Sequence, residues 1–396
     1  MPISPCLIYN NAKEPVFEDL LSLGGGNQMS IVALYGTRPE AIKMIPLIKE
    51  LKKETSGVLA VNVGQHSELV EQVEKIFGFQ PDFNLKIFKP QQSINSIVSR
   101  TLEELGKLLN ETEIKLFLVQ GDTTTAMSGA LYGTNRRIAI AHIEAGLRSF
   151  DNSSPFPEEI NRRIISVLAD IHFCPTEKSR VNLLEEGILI HDCYIVGNTG
   201  LDAVRIISEG SDMDFIENSF TELSKNEYIF VTMHRRESWG DGILSVIRAI
   251  QTIASNYPNI KVFIAAHPNP LVREAFRNEL ENLSNVLIHD HKPYAQTLKL
   301  IKNAKFIITD SGGIQEEASF LKVPVLVARN ETERMEGINS GCAKLVGLDS
   351  LRIIGEAKKL LDSEEIIMSM RNILCPYGDG YAVEKIIQIL QERSFI

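Results

Sequence analysis

A chain of 396 residues exceeds what one hydrophobic core usually organises, and 44% hydrophobic residues can fill two, so two domains are expected to fold without staples. With 41 basic against 51 acidic residues the net charge is −10, which argues against a general nucleic-acid or anionic-membrane surface; an anionic ligand has to meet a local basic pocket. The cysteines, Cys6, Cys174, Cys193, Cys342 and Cys375, are scattered, odd in number and without C-x-x-C spacing. No apolar run reaches spanning length and no secretory signal opens the chain, so reduced thiols, no zinc site and a cytoplasmic location are expected.

Residues 1–28 lack periodicity and end in Gly24-Gly25-Gly26-Asn27-Gln28, so ordered structure is expected to begin near Met29. From there strand-sized apolar runs at 31–35, 58–63, 116–119, 138–143, 171–173 and 194–196 alternate with helix-period segments. Ile42, Ile45, Ile48 and Leu51 share one helical face, as do Ile94, Ile97, Val98, Leu102, Leu105 and Leu109. After a polar stretch at 208–214 the alternation restarts, with runs at 228–233, 262–265, 286–288, 306–309 and 325–328. This pattern predicts an α/β protein of two Rossmann-like, doubly wound domains, 29–200 and 201–377, facing a central cleft. Its chemistry belongs on the loops that leave the carboxyl ends of the strands.

The first run ends in Gly36-Thr37-Arg38-Pro39-Glu40 and leads into a helix carrying Lys43. Arg38 and Lys43 can meet phosphate oxygens there, or Arg38 can merely pair with Glu40. Gln120-Gly121-Asp122-Thr123 places Asp122 at the crevice, as an acid–base group or as a helix cap. The next run ends in His142-Ile143-Glu144-Ala145-Gly146, and a loop then delivers Pro157-Glu158-Glu159 ahead of Arg162. Glu158 and Arg162, at i and i+4, make a surface ion pair if they do nothing else.

In the second half, Met233-His234-Arg235-Arg236 sets a histidine at a strand end beside two arginines, and Ala266-His267-Pro268 repeats the placement less specifically. Asp310-Ser311-Gly312-Gly313-Ile314-Gln315-Glu316-Glu317 is the most suggestive segment. Backbone N–H groups and Ser311 can cradle a phosphate at a helix start, while Glu317, one turn in, can accept from two ribose hydroxyls. Arg329 and Arg334 lie beyond the following strand, where a cation can reach the same phosphates.

In order and spacing, Gly-Thr-Arg-Pro-Glu-Ala-Ile-Lys-Met at 36–44, Gly-Asp-Thr-Thr-Thr at 121–125, His-Ile-Glu-Ala-Gly-Leu-Arg at 142–148, Pro-Glu-Glu-x-Asn-Arg at 157–162, His-Arg-Arg-Glu at 234–237, Asp-Ser-Gly-Gly-Ile-Gln-Glu-Glu-Ala at 310–318 and Thr-Glu-Arg at 332–334 closely resemble the non-hydrolysing UDP-N-acetylglucosamine 2-epimerases. The resemblance spans about residues 29–380. It implies the two-domain fold of one large class of glycosyltransferases (glycosyltransferase-B-like), with UDP held mainly by the second domain and a last helix, within 378–396, packing back on the first. It implies that Asp122, Glu144, Glu158 and His234 are catalytic and that Arg38, Lys43, Arg162, His267, Ser311, Gly312, Gly313, Glu317 and Arg334 contact a UDP-sugar. A homodimer, no cofactor and no metal are further implications. So is reversible C2 epimerisation by loss and return of UDP through a 2-acetamidoglucal, serving cell-surface polysaccharide synthesis.

Two departures stand out. Bacterial members often read Gln-His-Arg-Glu-Met where a second, activating UDP-sugar binds; here the segment is Gln65-His66-Ser67-Glu68-Leu69, which predicts little activation. Where a Pro-Phe pair often follows a tyrosine near uracil, this chain has Tyr294-Ala295-Gln296-Thr297. A glycosyltransferase of the same fold, a hydrolysing epimerase, an epimerase of an oxidised or 3-acetamido UDP-sugar and a nucleotide-sugar sensor are the alternatives. The acid–base cluster of the first half argues against the first and last of these.

Overall fold

The computed structural model describes residues 30–65, 67–89, 91–210, 223, 225, 227–235, 240–266, 269–290 and 292–396. The expectations for residues 1–28, for His267 and for most of the polar stretch at 208–214 lie outside them. The first sheet alternates β1 (Ser30–Tyr35), α1 (Arg38–Glu54), β2 (Val58–Asn62), α2 (Ser67–Ile76), β3 (Phe83–Asn84), α3 (Ile94–Leu109), β4 (Ile114–Gln120), α4 (Thr124–Asn135), β5 (Ala139–Ile143), α5 (Glu158–Leu168), β6 (Ile171–Cys174), α6 (Glu177–Glu185) and β7 (Cys193–Ile195). Helix α7 (Thr199–Glu209) follows. The second sheet contains β8 (Tyr228–Thr232), α8 (Asp241–Asn256), β9 (Lys261–Ala266), α9 (Pro270–Leu280), β10 (Val286–Asp290), α10 (Tyr294–Asn303), β11 (Phe306–Thr309), α11 (Gly312–Phe320), β12 (Val325–Val327), α12 (Met335–Ser340) and β13 (Ala343–Leu345). Helices α13 (Ser350–Asp362), α14 (Glu364–Arg371) and α15 (Ala382–Glu392) complete the chain.

Every pairing is parallel, and the orders are β3-β2-β1-β4-β5-β6-β7 and β10-β9-β8-β11-β12-β13. In both sheets the order reverses between the first strand and its later neighbour, β1 beside β4 and β8 beside β11. That is where an open parallel sheet leaves a crevice at its carboxyl ends. The short edge strands β3 and β13 escape the sequence pattern, because two or three residues carry too little periodicity to register.

Alternate residues of each strand feed opposite faces. Ile31, Ala33 and Tyr35 join one core and Val32 and Leu34 another, and the second sheet divides Ile229 and Val231 from Tyr228 and Phe230 in the same way. Buried on both faces, the strands read as continuous apolar runs rather than alternating ones. The first core also takes Tyr294 and Leu298 of α10 and Val383, Ile386, Ile387 and Leu390 of α15, so the last helix packs beside α1 and α7. Its start is held by Asp202 of α7, whose carboxylate accepts from the N–H groups of Ala382 (3.1 Å) and Val383 (2.9 Å). No helix among the described residues is long and apolar enough to cross a membrane. Cys174, Cys193, Cys342 and Cys375 are free thiols.

Candidate active site

The crevice of the first sheet is built around Glu144, at the end of β5. Lys43 of α1 donates to its Oε1 at 2.5 Å, and Gln120, the last residue of β4, donates to Oε2. Burial would raise this carboxyl, but the charges of Lys43, Arg334 and Arg162 outweigh it and hold Glu144 below the usual carboxylate range. Lys43 shows the mirror effect: burial would lower it, and Glu144 and Glu316 keep it raised. Glu144 is therefore ionised at neutral pH, the state a base needs.

Asp122 does not cap α4. Thr123 stands next to the helix, so its Oγ1 is the one that accepts from Ala126 N–H (3.0 Å), and the same hydroxyl donates to Glu40 at 2.6 Å. Asp122 is left free to accept from Arg162, whose Nε and second guanidinium nitrogen reach Oδ2 at 2.9 and 2.8 Å. Nor does Arg162 pair with Glu158. Its other arm meets Glu159 at 2.9 Å, because the residue at i+3 is fully buried beneath it. Glu159 also accepts from the N–H groups of Ser149 (2.9 Å) and Phe150 (3.3 Å), fixing the loop ahead of α5. Among the described residues Glu158 Oε2 is buried without a hydrogen-bond partner. An orphaned acceptor costs about 1–3 kcal/mol, and such groups are retained where chemistry uses them.

Arg38 does not spend itself on Glu40. That buried carboxylate is occupied by the N–H groups of Gly36 (2.9 Å) and Thr37 (2.7 Å) and by Thr123. The Arg38 guanidinium instead lies 5.8 Å over the ring of Tyr294 and faces Glu317. Tyr294 donates its hydroxyl to Glu317 at 2.9 Å. Burial pushes Glu317 up to about 7, with Glu316 adding to the rise and Tyr294, Arg38 and Lys43 opposing it.

Across the cleft, His234 presents Nδ1 to Asp310 Oδ1 at 3.0 Å, and the N–H groups of His234 and Arg235 also donate to Asp310. Burial would raise Asp310, but these contacts hold it low and ionised. The His234 side chain is 41% exposed, with Nδ1 turned to this buried carboxylate. The neighbouring Arg235 bonds Glu333 (3.2 Å).

Ser311 caps α11, its Oγ accepting from Ile314 N–H at 3.4 Å. A Cβ on Gly313 would meet nothing within 4 Å, whereas one on Gly312 would lie 3.2 Å from the Arg334 guanidinium. A cation thus lies against a helix N-terminus with open space at Gly313, an arrangement that suits a phosphate. Arg334 bonds Glu316 (2.9 Å) and Glu333 (2.8 Å), and its charge also lowers Glu144. The guanidinium at the start of α11 in one half therefore stands within electrostatic reach of the ionised carboxylate of the other.

Three site residues, Gln120, Asp310 and Glu316, lay inside the motifs without being singled out, and Asn198 lay outside them. The signal for Asn198 was an asparagine between a strand and a helix; it caps α7 through Gly200 N–H at 2.8 Å.

A sequence profile of the UDP-N-acetylglucosamine 2-epimerase family matches residues 49–391. The UDP-N-acetylglucosamine 2-epimerase of Campylobacter jejuni is 42% identical over 91% of this chain and 97% of its own. That of Escherichia coli K12 is 40% identical over 92% and 99%. The crystal structure of UDP-GlcNAc 2-epimerase from Neisseria meningitidis bound to UDP-GlcNAc superposes with a TM-score of 0.86 at 38% identity, covering 92% of this chain and all of that one. The Methanocaldococcus jannaschii enzyme in complex with UDP-GlcNAc and UDP gives 0.78 at 32%, again over 92% of this chain and all of its own. With a profile match over most of its length and relatives this similar from end to end, the chain belongs to the UDP-N-acetylglucosamine 2-epimerase family, the one its motifs resemble.

Proposed function

We propose that this chain interconverts UDP-N-acetylglucosamine and UDP-N-acetylmannosamine by eliminating UDP and adding it back. The observation that carries the reading is the ionised Glu144 within reach of the Arg334 guanidinium, a base beside a cradle for the leaving group. The C2 proton of the sugar is not acidified by a carbonyl, so its removal has to be helped by departure of UDP. A carboxylate takes the C2 proton, the C1–O bond breaks with its electron pair going to the β-phosphate oxygen, and a C1=C2 double bond forms. In the return, that oxygen attacks C1 and C2 receives a proton on its other face.

Two groups on opposite faces are needed, and Asp122, Glu144 and Glu158 supply the carboxylates. The second half, 201–377, holds the nucleotide: Ser311, Gly312, Gly313 and Arg334 at the diphosphate with His234 beside them, and Glu317 at the ribose. The first half, 29–200, presents Lys43 and Arg162 with the acids. A homodimer is the assembly, with Phe150 and Phe156 ahead of α5 and Val167 on it as exposed apolar side chains that a second copy would cover.

The test is incubation with UDP-N-acetylglucosamine in D2O, followed by NMR. Deuterium at C2 of UDP-N-acetylmannosamine is expected, because solvent supplies the returning proton. Product free of C2 deuterium rules out the elimination scheme, and accumulation of UDP with free N-acetylmannosamine makes the enzyme a hydrolysing one.

A pH dependence follows from Glu317. Only an ionised carboxylate accepts from both ribose hydroxyls without donating, and its carboxyl is raised to about 7. UDP binding therefore favours the deprotonated form and should tighten as pH rises through 7. Well below that value affinity should fall by about tenfold per pH unit. Calorimetric titration of UDP across this range should show the dependence in the parent and a flatter profile in Glu317→Gln; equal profiles remove Glu317 from the ribose.

A further inference from the structure

Among the described residues the chain passes between its halves twice, at 196–200 and 376–382, and the two crossings touch backbone to backbone. A Cβ on Gly378 would lie 3.1 Å from the Cα of Gly197, and Asn198 N–H donates to the Tyr377 carbonyl at 3.0 Å. Because Asn198 Oδ1 is committed to the cap of α7, its amide nitrogen must face the other way, where it donates to Glu316 Oε2 at 2.8 Å. The other oxygen of Glu316 accepts from Arg334 Nε at 2.9 Å. This carboxylate is only 6% exposed, so one of its oxygens serves the crossing and the other serves the guanidinium at the anion cradle. Tyr377 ties the same two places through the main chain, its hydroxyl donating to the Arg334 carbonyl at 3.1 Å.

The two carboxylates on Arg334 are not equivalent. Glu333 also accepts from Arg329 (2.8 Å) and Arg235 (3.2 Å), so it keeps partners when Arg334 turns away. Among the described residues Arg334 is the one guanidinium bonded to Glu316, and losing it would strip Oε1 of this strong contact. A diphosphate at the start of α11 could take the terminal nitrogen that now meets Glu333 at 2.8 Å while Nε stays on Glu316. A cavity of about 490 Å³ bounded by Thr176, Gly197, Phe320 and Gly378 adjoins the crossing.

We infer that Glu316 is a positioning residue that couples Arg334 to Asn198, so that binding the diphosphate and setting the two halves relative to each other are one event. The inference rests on Arg334 meeting the diphosphate, as proposed above. Asn198→Ser keeps a capping oxygen for α7 but removes the donor to Glu316. Glu316→Gln keeps the shape but has one acceptor oxygen, so it drops Arg334 or Asn198.

The experiment is calorimetric titration of UDP into the full chain, its two single variants and their double variant, with melting temperatures recorded alongside. Each single change should weaken UDP binding by about tenfold although neither residue touches the nucleotide, and the double variant should be no weaker than the worse single one. Unchanged affinity in Asn198→Ser, or losses that simply add, overturns the coupling; Asn198→Ser decides alone if Glu316→Gln does not fold. Arg334→Ala separates the two readings. If it leaves UDP affinity unchanged, the diphosphate site itself is misplaced; if it weakens UDP while Asn198→Ser does not, only the coupling fails.

Discussion

Glu144→Gln should cut turnover by about 10²–10⁴ and leave UDP affinity within a few-fold of the parent, because the amide keeps the shape and loses the base. Asp122→Asn should act similarly, with Arg162 still anchored by Glu159. A slowed variant should also release UDP and 2-acetamidoglucal, since the intermediate then has time to escape. The Glu144 substitution carries a complication that can be resolved. It leaves Lys43 buried without its ion-pair partner, and breaking a buried pair from one side costs about 3–5 kcal/mol. Lys43→Met with Glu144→Gln removes both charges, so it should regain stability in urea without regaining turnover. Turnover within tenfold of the parent in Glu144→Gln would take Glu144 out of proton transfer, and recovery of activity in the double variant would show that the single change acts through stability.

The architecture and the positions of the motifs were legible because they depend on short-range pattern. Apolar runs alternating with helix-period stripes specify parallel β/α units, and Arg38, Asp122, His234 and Ser311 could be placed by following a strand to its carboxyl end. What each side chain does there is decided by partners far along the chain. Asp122 looks like a cap until Thr123 takes that role, and Glu158 looks like the partner of Arg162 until the burial of Glu159 is known. Likewise Arg38 reads as a partner of Glu40 because the two are adjacent, whereas Tyr294 and Glu317 come to it from the other half. Asn198 and Glu316 are 118 residues apart, and no periodicity announces a hydrogen bond between them. Local sequence thus reports where the polar groups are delivered; the charges that hold Glu144 low and the burial that pushes Glu317 up exist only after folding.

Gly146→Ala should destabilise the chain by about 2–5 kcal/mol and lower turnover as well. Gly146 has φ +85°, a left-handed conformation that costs a residue with a Cβ about 1–2 kcal/mol. The larger obstacle is steric, since that Cβ would lie 2.1 Å from the carbonyl oxygen of Ser179 and 2.7 Å from its carbon. Those are backbone atoms of α6, so no rotamer change relieves the clash; the helix or the turn has to move. The turn carries Glu144, itself at φ +67° and held there by Lys43 and Gln120. Asn182 of the same helix also donates to the Gly146 carbonyl at 2.9 Å, so a displaced α6 loosens the turn from its other side. A shift of about 1 Å at a reacting carboxylate is enough to cost about 10²-fold in rate. Gly187→Ala is the matched control, with φ +91° and nothing within 4 Å of its Cβ; it incurs the backbone cost without the clash. Urea denaturation should therefore rank the parent first, Gly187→Ala a little below it and Gly146→Ala well below, with turnover lost only in the last. Equal midpoints for the two variants would mean that α6 yields to the added methyl group, and turnover would then show whether Glu144 moves with it.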